Sequence, residues 1–368
     1  MNTHRIMAIV GNGFDISVLL KYGKGVTTKY SRFYSFFKYK YPEKNNILID
    51  QMERLQQEEP QDENWSDLEA VLARQISAIE KDDEDNIDKL NKDLLEIQQA
   101  FSRFLNDVVD NDIIEKVSML ESPSKEKKGS YGYRSMSEFI GDLSKEQYQK
   151  FRFHNVVQNY DKILFTFVNL NYTALLDNYV HLDKEIFDPV PYNCSSNNFE
   201  FFTNPNDYPG HTVFTNPYCH LLSNVLHPHG DQNIPKSLLF GTEIDLPKND
   251  NHDLRKKFVK SIWARSEELY GKYFKNTNVF IIYGCSLGSS DKWWWKKIYN
   301  RISVENGAEL LIYHYGYEAE DVVIQRFFDG CGLSEEERKS ISVAQNNIYV
   351  IRFNKSNCEK VKFLQLPR

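Results

Sequence analysis

The sequence predicts an α/β fold in which a doubly wound, mostly parallel sheet carries a helical insertion. Short apolar runs alternate with helical segments in the second half of the 368-residue chain, as in a parallel sheet with crossover helices. Another apolar run, at residues 6–10, leads directly into Gly11-Asn12-Gly13. A strand that enters a tight glycine turn before a helix is typical of the first unit of a Rossmann-like sheet.

Composition narrows the class of protein. With 41% apolar and 26% charged residues the chain is globular, and its net charge of −7 argues against general binding to nucleic acid. It has no 18-residue apolar span and no signal-peptide core, so we expect a cytoplasmic protein without membrane contact. The five cysteines are scattered and show neither zinc spacing nor a disulfide framework, so no metal site is expected.

Apolar runs predict strands at residues 6–10, 163–168, 279–283, 310–313 and 348–353, and residues 237–240 give a weaker signal. Helical spacing predicts two helices between residues 65 and 109, separated by the charged patch 81–85, and further helices at 254–274 and 293–302. Residues 123–130 are interpreted as a polar loop, and the aperiodic residues 187–225 as a long loop that forms a lid or binding wall. The resulting division is 1–60 for the start of the core, 61–150 for the helical insertion and 151–368 for the rest of the core.

Polar motifs follow four apolar segments, at residues 6–10, 163–168, 221–226 and 279–283. The motifs are Gly11-Asn12-Gly13-Phe14-Asp15, Asn169-Leu170-Asn171-Tyr172-Thr173, His227-Pro228-His229-Gly230 and the run from Gly284 through Ser286 to Asp291. Open parallel sheets bind ligands beyond the carboxyl ends of their strands. The four motifs therefore predict one site at that edge of the sheet.

Each motif also has a purely structural explanation. Asn12 and Asp15 could satisfy backbone groups of the turn, and Asn171 could cap the following helix. His227 and His229 could be ordinary loop histidines, and Asp291 could cap the helix that carries Trp293-Trp294-Trp295. Ser66-Asp67-Leu68-Glu69 fits a capping box in which Ser66 caps the helix and Glu69 reaches back, and the alternative for Glu69 is a catalytic acid.

As a set, the motifs resemble the bacteriophage abortive-infection AbiH family. The resemblance rests on the Gly-Asn-Gly-Phe-Asp start, Trp65–Glu69, Asn171-Tyr172-Thr173, His227–Gly230, Phe240-Gly241 and Gly284–Asp291, and it covers roughly residues 5–315. Their order is also similar, more loosely, to that of SIR2-like domains, which bind NAD and in phage defence often hydrolyse it. Asp15, Thr173 and Pro228 depart from the SIR2-like pattern, and the deacetylase zinc module is missing, so protein deacetylation is the least supported activity.

The resemblance implies a SIR2-like sheet and NAD as ligand or substrate. The catalytic candidates are Asn171, which would position the ribose or a water, and His229, which would act as general base or bind a ribose hydroxyl. The cofactor-binding candidates are Gly11, Asn12, Gly13, Phe14, Asp15, Gly284, Ser286 and Asp291, with the N–H groups of the first two glycines expected on the pyrophosphate.

The function expected from this reading is that of an anti-phage effector which binds NAD or a related nucleotide and hydrolyses its N-glycosidic bond. A nucleotide sensor without catalysis, which acts through a protein partner, is the first alternative, and a nuclease is the second. The expected partners are a small-molecule nucleotide and a phage-derived trigger or a second copy of the chain.

Overall fold

The protein, described here from a computed structural model, is a mixed α/β structure, and its described residues form one seven-stranded sheet. The structure describes residues 2–58, 65–120, 131–181, 199–209, 216–244, 246 and 252–367. The predicted polar loop at 123–130 and parts of the aperiodic segment 187–225 lie outside these residues.

The sheet is parallel except at one edge. Its strands are β1 (Thr3–Val10), β2 (Lys162–Asn169), β3 (Phe199–Glu200), β4 (Tyr218–Leu226), β5 (Val279–Tyr283), β6 (Glu309–Tyr315) and β7 (Ile348–Phe353). They lie in the order β3-β4-β2-β1-β5-β6-β7, and only the short β3 runs antiparallel to its neighbour. The five stronger strand predictions are confirmed, and so is the mostly parallel α/β class.

Fourteen α-helices are described. They are α1 (Gly13–Tyr22), α2 (Tyr30–Lys40), α3 (Ile47–Glu58), α4 (Leu68–Ala78), α5 (Glu84–Val108), α6 (Asn111–Ser118), α7 (Tyr131–Glu138), α8 (Lys145–Lys150), α9 (Leu175–Val180), α10 (Lys260–Trp263), α11 (Ser266–Phe274), α12 (Lys292–Ile302), α13 (Glu320–Cys331) and α14 (Ile341–Asn346). The first eight lie between β1 and β2. The two helices predicted between residues 65 and 109 correspond to α4 and α5.

Both faces of the sheet are buried, which explains why its central strands are continuous apolar runs. Ile6, Ala8 and Val10 of β1 point into one core cluster, whereas Met7 and Ile9 point into the cluster on the opposite face. This alternation follows from the two-residue period of a strand.

A third core cluster covers the loops at the carboxyl edge of the sheet. Phe101 of α5 packs edge-on against Tyr172, which follows β2, and against Phe240. Two buried side chains of α5 tie it to the same loops, since Gln98 Nε2 donates to the Leu238 carbonyl at 2.6 Å and Ser102 Oγ to the Gln232 carbonyl at 2.6 Å. Helices α2 to α5 therefore form a wall beside the predicted site.

Three predictions about local structure were wrong. Residues 237–240 are not a strand, because the backbone of Leu239 donates to the His229 carbonyl instead of to a neighbouring strand. The predicted helix 254–274 is divided into a 3₁₀ turn, α10 and α11, with a left-handed residue, Arg265 at φ 49°, before α11. The aperiodic segment 187–225 contains β3 and most of β4, in which His220, Ser223 and Asn224 interrupt the apolar residues without a regular period.

Candidate functional site

The four sequence motifs meet at the carboxyl edge of the sheet. They follow β1, β2, β4 and β5, which are neighbours in the parallel part of the sheet. The chain leaves β1 toward β2 on one side, and it leaves β5 toward β6 on the other, so the topology reverses between β1 and β5. Ligands of open α/β sheets bind at such a point.

The glycine loop after β1 is packed directly against the loop after β5. The Gly11 N–H donates to the Tyr283 carbonyl at 2.8 Å, and the Gly13 N–H donates to the Gly284 carbonyl at 2.9 Å. A Cβ atom at Gly11 or Gly13 would lie 2.7 Å or 2.6 Å from Gly284 backbone atoms, and Gly284 itself has φ +67°. The glycines thus permit the close approach of two loops, and the two N–H groups expected on a pyrophosphate are bound within the protein.

The remaining residues of this loop differ in exposure. Phe14 is fully buried and packs edge-on against Tyr179, so it belongs to the core. Asn12 is exposed, and its Oδ1 accepts a hydrogen bond from the Thr28 hydroxyl. Ser286, in the neighbouring β5 loop, is also exposed.

Asp15 is the centre of a buried polar cluster. Its Oδ1 accepts from Asn171 Nδ2 at 3.1 Å and its Oδ2 accepts from the Thr173 hydroxyl at 2.7 Å. Burial raises the pKa of Asp15 to about 7, against the opposing effect of the Thr173 hydrogen bond. Asn171 also donates to the Gly11 carbonyl at 3.2 Å and does not cap α9, which begins at Leu175.

A second cluster contains four ionisable side chains from distant parts of the chain. Lys260 Nζ lies 2.6 Å from Glu69 Oε1 and 3.2 Å from Asp291 Oδ1. The same Asp291 oxygen lies 3.3 Å from His229 Nε2. Asp291 is the residue before α12, but its side chain makes no capping hydrogen bond there, because its carboxylate is directed at Lys260 and His229.

Glu69 reaches this cluster because α4 is capped by a different residue than predicted. Asp67, not Ser66, is the N-cap, and its Oδ1 accepts from the N–H groups of Glu69 and Ala70 at 3.0 and 3.2 Å. The capping box with Ser66 and Glu69 is therefore wrong. The Glu69 side chain is free of that role and pairs with Lys260.

Lys260 is placed by a short parallel bridge between two irregular segments. The Thr242 N–H donates to the Phe258 carbonyl, and the Lys260 N–H donates to the Thr242 carbonyl, both at 3.0 Å. Glu243, the next residue, accepts from the Ser261 N–H at 2.6 Å and from its hydroxyl at 2.7 Å. The segment that follows Phe240-Gly241 thus holds Lys260 in place through Thr242. It also brings a further carboxylate, that of Glu243, to the site.

The pKa values of the cluster reflect a balance between burial and charge. Burial by itself lowers the pKa of Lys260, but Asp291 and Glu69 outweigh it and raise that pKa above its ordinary range. For Asp291, burial is outweighed by Lys260 and His229, so its pKa falls well below the usual value. Burial raises the pKa of Glu69, which Lys260 only partly opposes.

The two histidines of the His-Pro-His motif serve different clusters. His229 is buried, and its Nδ1 lies 3.0 Å from the Leu170 carbonyl while its Nε2 faces Asp291. His227 Nε2 instead pairs with Asp177 at 2.9 Å, and this hydrogen bond raises the pKa of His227. Gly230, at φ +90°, makes the turn, since a Cβ there would lie 2.1 Å from the Ser237 carbonyl oxygen.

A narrow cleft opens beside this second cluster. Its walls are Pro228, His229, Leu239, Glu243, Lys260, Ala264, Ser266, Ser290, Asp291, Trp293 and Trp294. Trp293 is half-buried, whereas Trp294 and Trp295 are buried, and Trp295 Nε1 donates to the Gly288 carbonyl at 2.9 Å. The free volume is about 10 Å³, close to the least that holds one water molecule.

Among the residues that the structure describes, no three His, Cys, Asp or Glu side chains are arranged to hold a metal ion. Within the same residues, no helix has the length and apolar character needed to cross a membrane.

Sequence reasoning missed Lys260 and Glu243. Glu243 had a signal, because it lies two residues after the Phe240-Gly241 motif. Lys260 had none, since it lies in a segment predicted as one long helix with several other basic residues. Of the predicted residues, the structure brings His229 and Asp291 together in one cluster and Asp15 and Asn171 in the other.

One protein family is similar to this chain over most of its length. No curated protein matches the chain. The family model described as bacteriophage abortive infection AbiH matches residues 7–313, which include every loop of the candidate site. Membership in that family suggests a function in abortive infection by bacteriophage. The chain belongs to the AbiH family.

Proposed function

We propose that this protein is an anti-phage abortive-infection effector that binds NAD or a related nucleotide at the carboxyl edge of its sheet and hydrolyses the N-glycosidic bond. The observation that carries the proposal is the cluster of His229, Asp291, Lys260 and Glu69 beside a half-buried tryptophan at that edge.

The strand order supports a nucleotide as the ligand. If only the six parallel strands are numbered along the chain, their spatial order is 3-2-1-4-5-6. This is the order of the Rossmann fold, in which dinucleotides bind where the topology reverses. A Rossmann-like and SIR2-like assignment is therefore part of the proposal.

The chemistry of the cleft suits cleavage of an N-glycosidic bond. Nicotinamide leaves NAD as a neutral molecule, and positive charge develops on the ribose carbon that a water oxygen attacks. Asp291 and Glu243 supply carboxylates that stabilise this charge, and Trp293 offers a ring face for a base. The balanced reaction consumes NAD and water and releases ADP-ribose, nicotinamide and a proton.

His229 is assigned as the general base that takes the proton from water. Its Nδ1 faces the Leu170 carbonyl and its Nε2 faces Asp291 Oδ1, so Nε2 is the nitrogen assigned to the attacking water. To act as a base, His229 Nε2 must be unprotonated and must contact water in place of Asp291. The proposal therefore includes a widening of the narrow cleft when the ligand enters.

The other predicted residues receive supporting roles. Asn171 holds the β1 loop through Gly11 and Asp15, so we assign it to the frame of the site. Because the Gly11 and Gly13 N–H groups are occupied, the phosphates are assigned to the outer side of the same loops, where Asn12 and Ser286 are exposed.

The test is to quantify nucleotides in phage-infected bacteria that express the wild type, His229→Gln or His227→Gln, by chromatography with mass detection. We expect NAD loss with ADP-ribose and nicotinamide for the wild type and His227→Gln, and intact NAD for His229→Gln. His227→Gln is the matched control, because His227 pairs with Asp177 outside the second cluster. Protection that requires His229 while NAD stays constant would exclude this reaction.

A non-catalytic nucleotide sensor is the second candidate. It is favoured by the closed geometry, in which the cleft holds about one water and both His229 nitrogens are engaged. Calorimetry with NAD and ADP-ribose on the purified protein distinguishes the two. Tight binding of a nucleotide that is recovered intact would select the sensor.

A further inference from the structure

We infer that Lys260 and Glu69 are positioning residues that set the proton affinity of His229 in opposite directions, with Asp291 as the group through which they act. This inference rests on the proposed function for its catalytic meaning, but it concerns a physical property that is measured without any turnover. Neither residue belongs to the motif loops that follow the strands.

The four ionisable side chains of the second cluster contact one another in a row, and one oxygen atom is shared by two of these contacts. Lys260 Nζ and His229 Nε2 contact the same oxygen, Asp291 Oδ1, at 3.2 and 3.3 Å. Glu69 Oε1 holds the far side of Lys260 at 2.6 Å. The Lys260 side chain is 5% exposed and that of Glu69 is 11% exposed, so solvent screens these charges only weakly.

The titratable groups around His229 come from five segments of the chain. Asp291 lies after β5, Lys260 begins α10, Glu69 lies in the first turn of α4, and Tyr172 follows β2 with its ring centroid 6.2 Å from that of His229. Glu243 lines the same cleft. Lys260 is the cation of this set, and its charge favours loss of the proton on His229 Nε2. The carboxylates favour retention of that proton.

A structural anchor and an electrostatic tuner predict different results. If Lys260 and Glu69 only held the cleft together, removing either charge would loosen it and move His229 toward the behaviour of an exposed histidine in both cases. If they tune His229, removal of the cation raises its titration midpoint and removal of the anion lowers it.

The experiment follows the ring signals of His229 by NMR as a function of pH in the full-length protein. The His229→Gln variant identifies the signal among the nine histidines. We expect Lys260→Met to raise the midpoint and Glu69→Gln to lower it, each by about one unit or more. Lys260→Arg restores the cation and should return the midpoint close to that of the wild type.

Lys257→Met is the matched control, since Lys257 is three residues away and pairs with the exposed Asp88. Shifts of the same sign in Lys260→Met and Glu69→Gln, or none beyond the control, would overturn the inference. If Lys260→Met does not fold, the inference is tested with Glu69→Gln and Lys260→Arg alone. An unchanged His229 midpoint in Glu69→Gln then overturns the inference. Opposite shifts in a protein that leaves cellular NAD unchanged would support the positioning roles and overturn only the NAD reaction.

Discussion

Asn171 Nδ2 donates to Asp15 Oδ1 at 3.1 Å, which joins the loop after β2 to the first turn of α1. This carboxyl group has hydrogen bonds from neutral donors and no cation in contact among the described residues, so burial dominates and its pKa rises to about 7. Because its pKa is raised to about 7, the Asp15 carboxyl group keeps its proton in the folded state at pH values where the unfolded chain has lost it. The unfolded chain releases this proton near pH 4. The contribution of Asp15 to the free energy of unfolding therefore falls as the pH rises from about 4 to about 7.

Asp15→Asn should remove this pH dependence. Asparagine retains the shape and the acceptor for Asn171, and the Thr173 hydroxyl can accept from the new amide. We expect the variant to lose less stability than the wild type between pH 5 and pH 8, by about 1–3 kcal/mol. Urea unfolding at both pH values measures the difference. Asp112→Asn, at an exposed aspartate, is the control, and equal slopes in all three proteins would contradict the prediction.

Gly13→Ala should destabilise the protein through packing alone. The new Cβ would lie 2.6 Å from the Gly284 Cα. The Cβ is fixed to the backbone of residue 13 and the Cα is part of the backbone of Gly284, so neither atom can move aside at a low cost in free energy. We expect a loss of about 1–3 kcal/mol in the free energy of unfolding. Gly288→Ala is the control, because its Cβ meets only Ser286 Oγ at 3.4 Å. Similar losses at the two positions would show that the close approach of the loops is unimportant.

Lys260→Met should destabilise the protein in a pH-dependent way. It leaves Glu69 and Asp291 buried without their cation, which costs about 3–5 kcal/mol at neutral pH. Without Lys260, burial raises both carboxyl pKa values, so the deficit relative to the wild type should shrink as the pH falls and these groups take up protons. Denaturant titrations of the wild type, Lys260→Met and the control Lys257→Met at pH 5 and pH 8 measure this deficit. A deficit that is constant with pH would contradict the assignment of charge to this cluster.

Gln98→Leu should loosen the contact between α5 and the loop that carries His229. The buried amide of Gln98 donates to the Leu238 carbonyl, whose neighbour Leu239 bonds to His229. The change leaves that carbonyl without its partner, and we expect a loss of about 1–3 kcal/mol. Gln99→Leu, at the adjacent exposed residue, should change stability by less than about 0.5 kcal/mol. Hydrogen exchange of residues 229–239 would show the loosening directly, and equal protection in both variants would refute it.

Much of the sheet could be predicted, because its signal is local. The apolar runs that became β2, β5 and β7 need burial on both faces wherever they pack, so their composition alone indicates buried strands. Residues 237–240 are also mostly apolar, yet they do not form a strand, because the Leu239 N–H donates to the His229 carbonyl. The segment 254–274 has helical spacing, yet it is interrupted so that Lys260 can bond to Thr242. In both cases a partner distant in sequence decided the local structure.

The candidate site shows the same division. The sequence by itself determined the α/β class, the loops that lie at the carboxyl edge and the motifs of the AbiH family, because these depend on residue type and spacing. Only the tertiary structure decided that Glu69 pairs with Lys260, that Asp291 faces His229 and that the Gly11 and Gly13 N–H groups are occupied. These contacts join segments that are tens to hundreds of residues apart. Their energies arise from burial and from the distance between charges, and no local pattern contains either quantity.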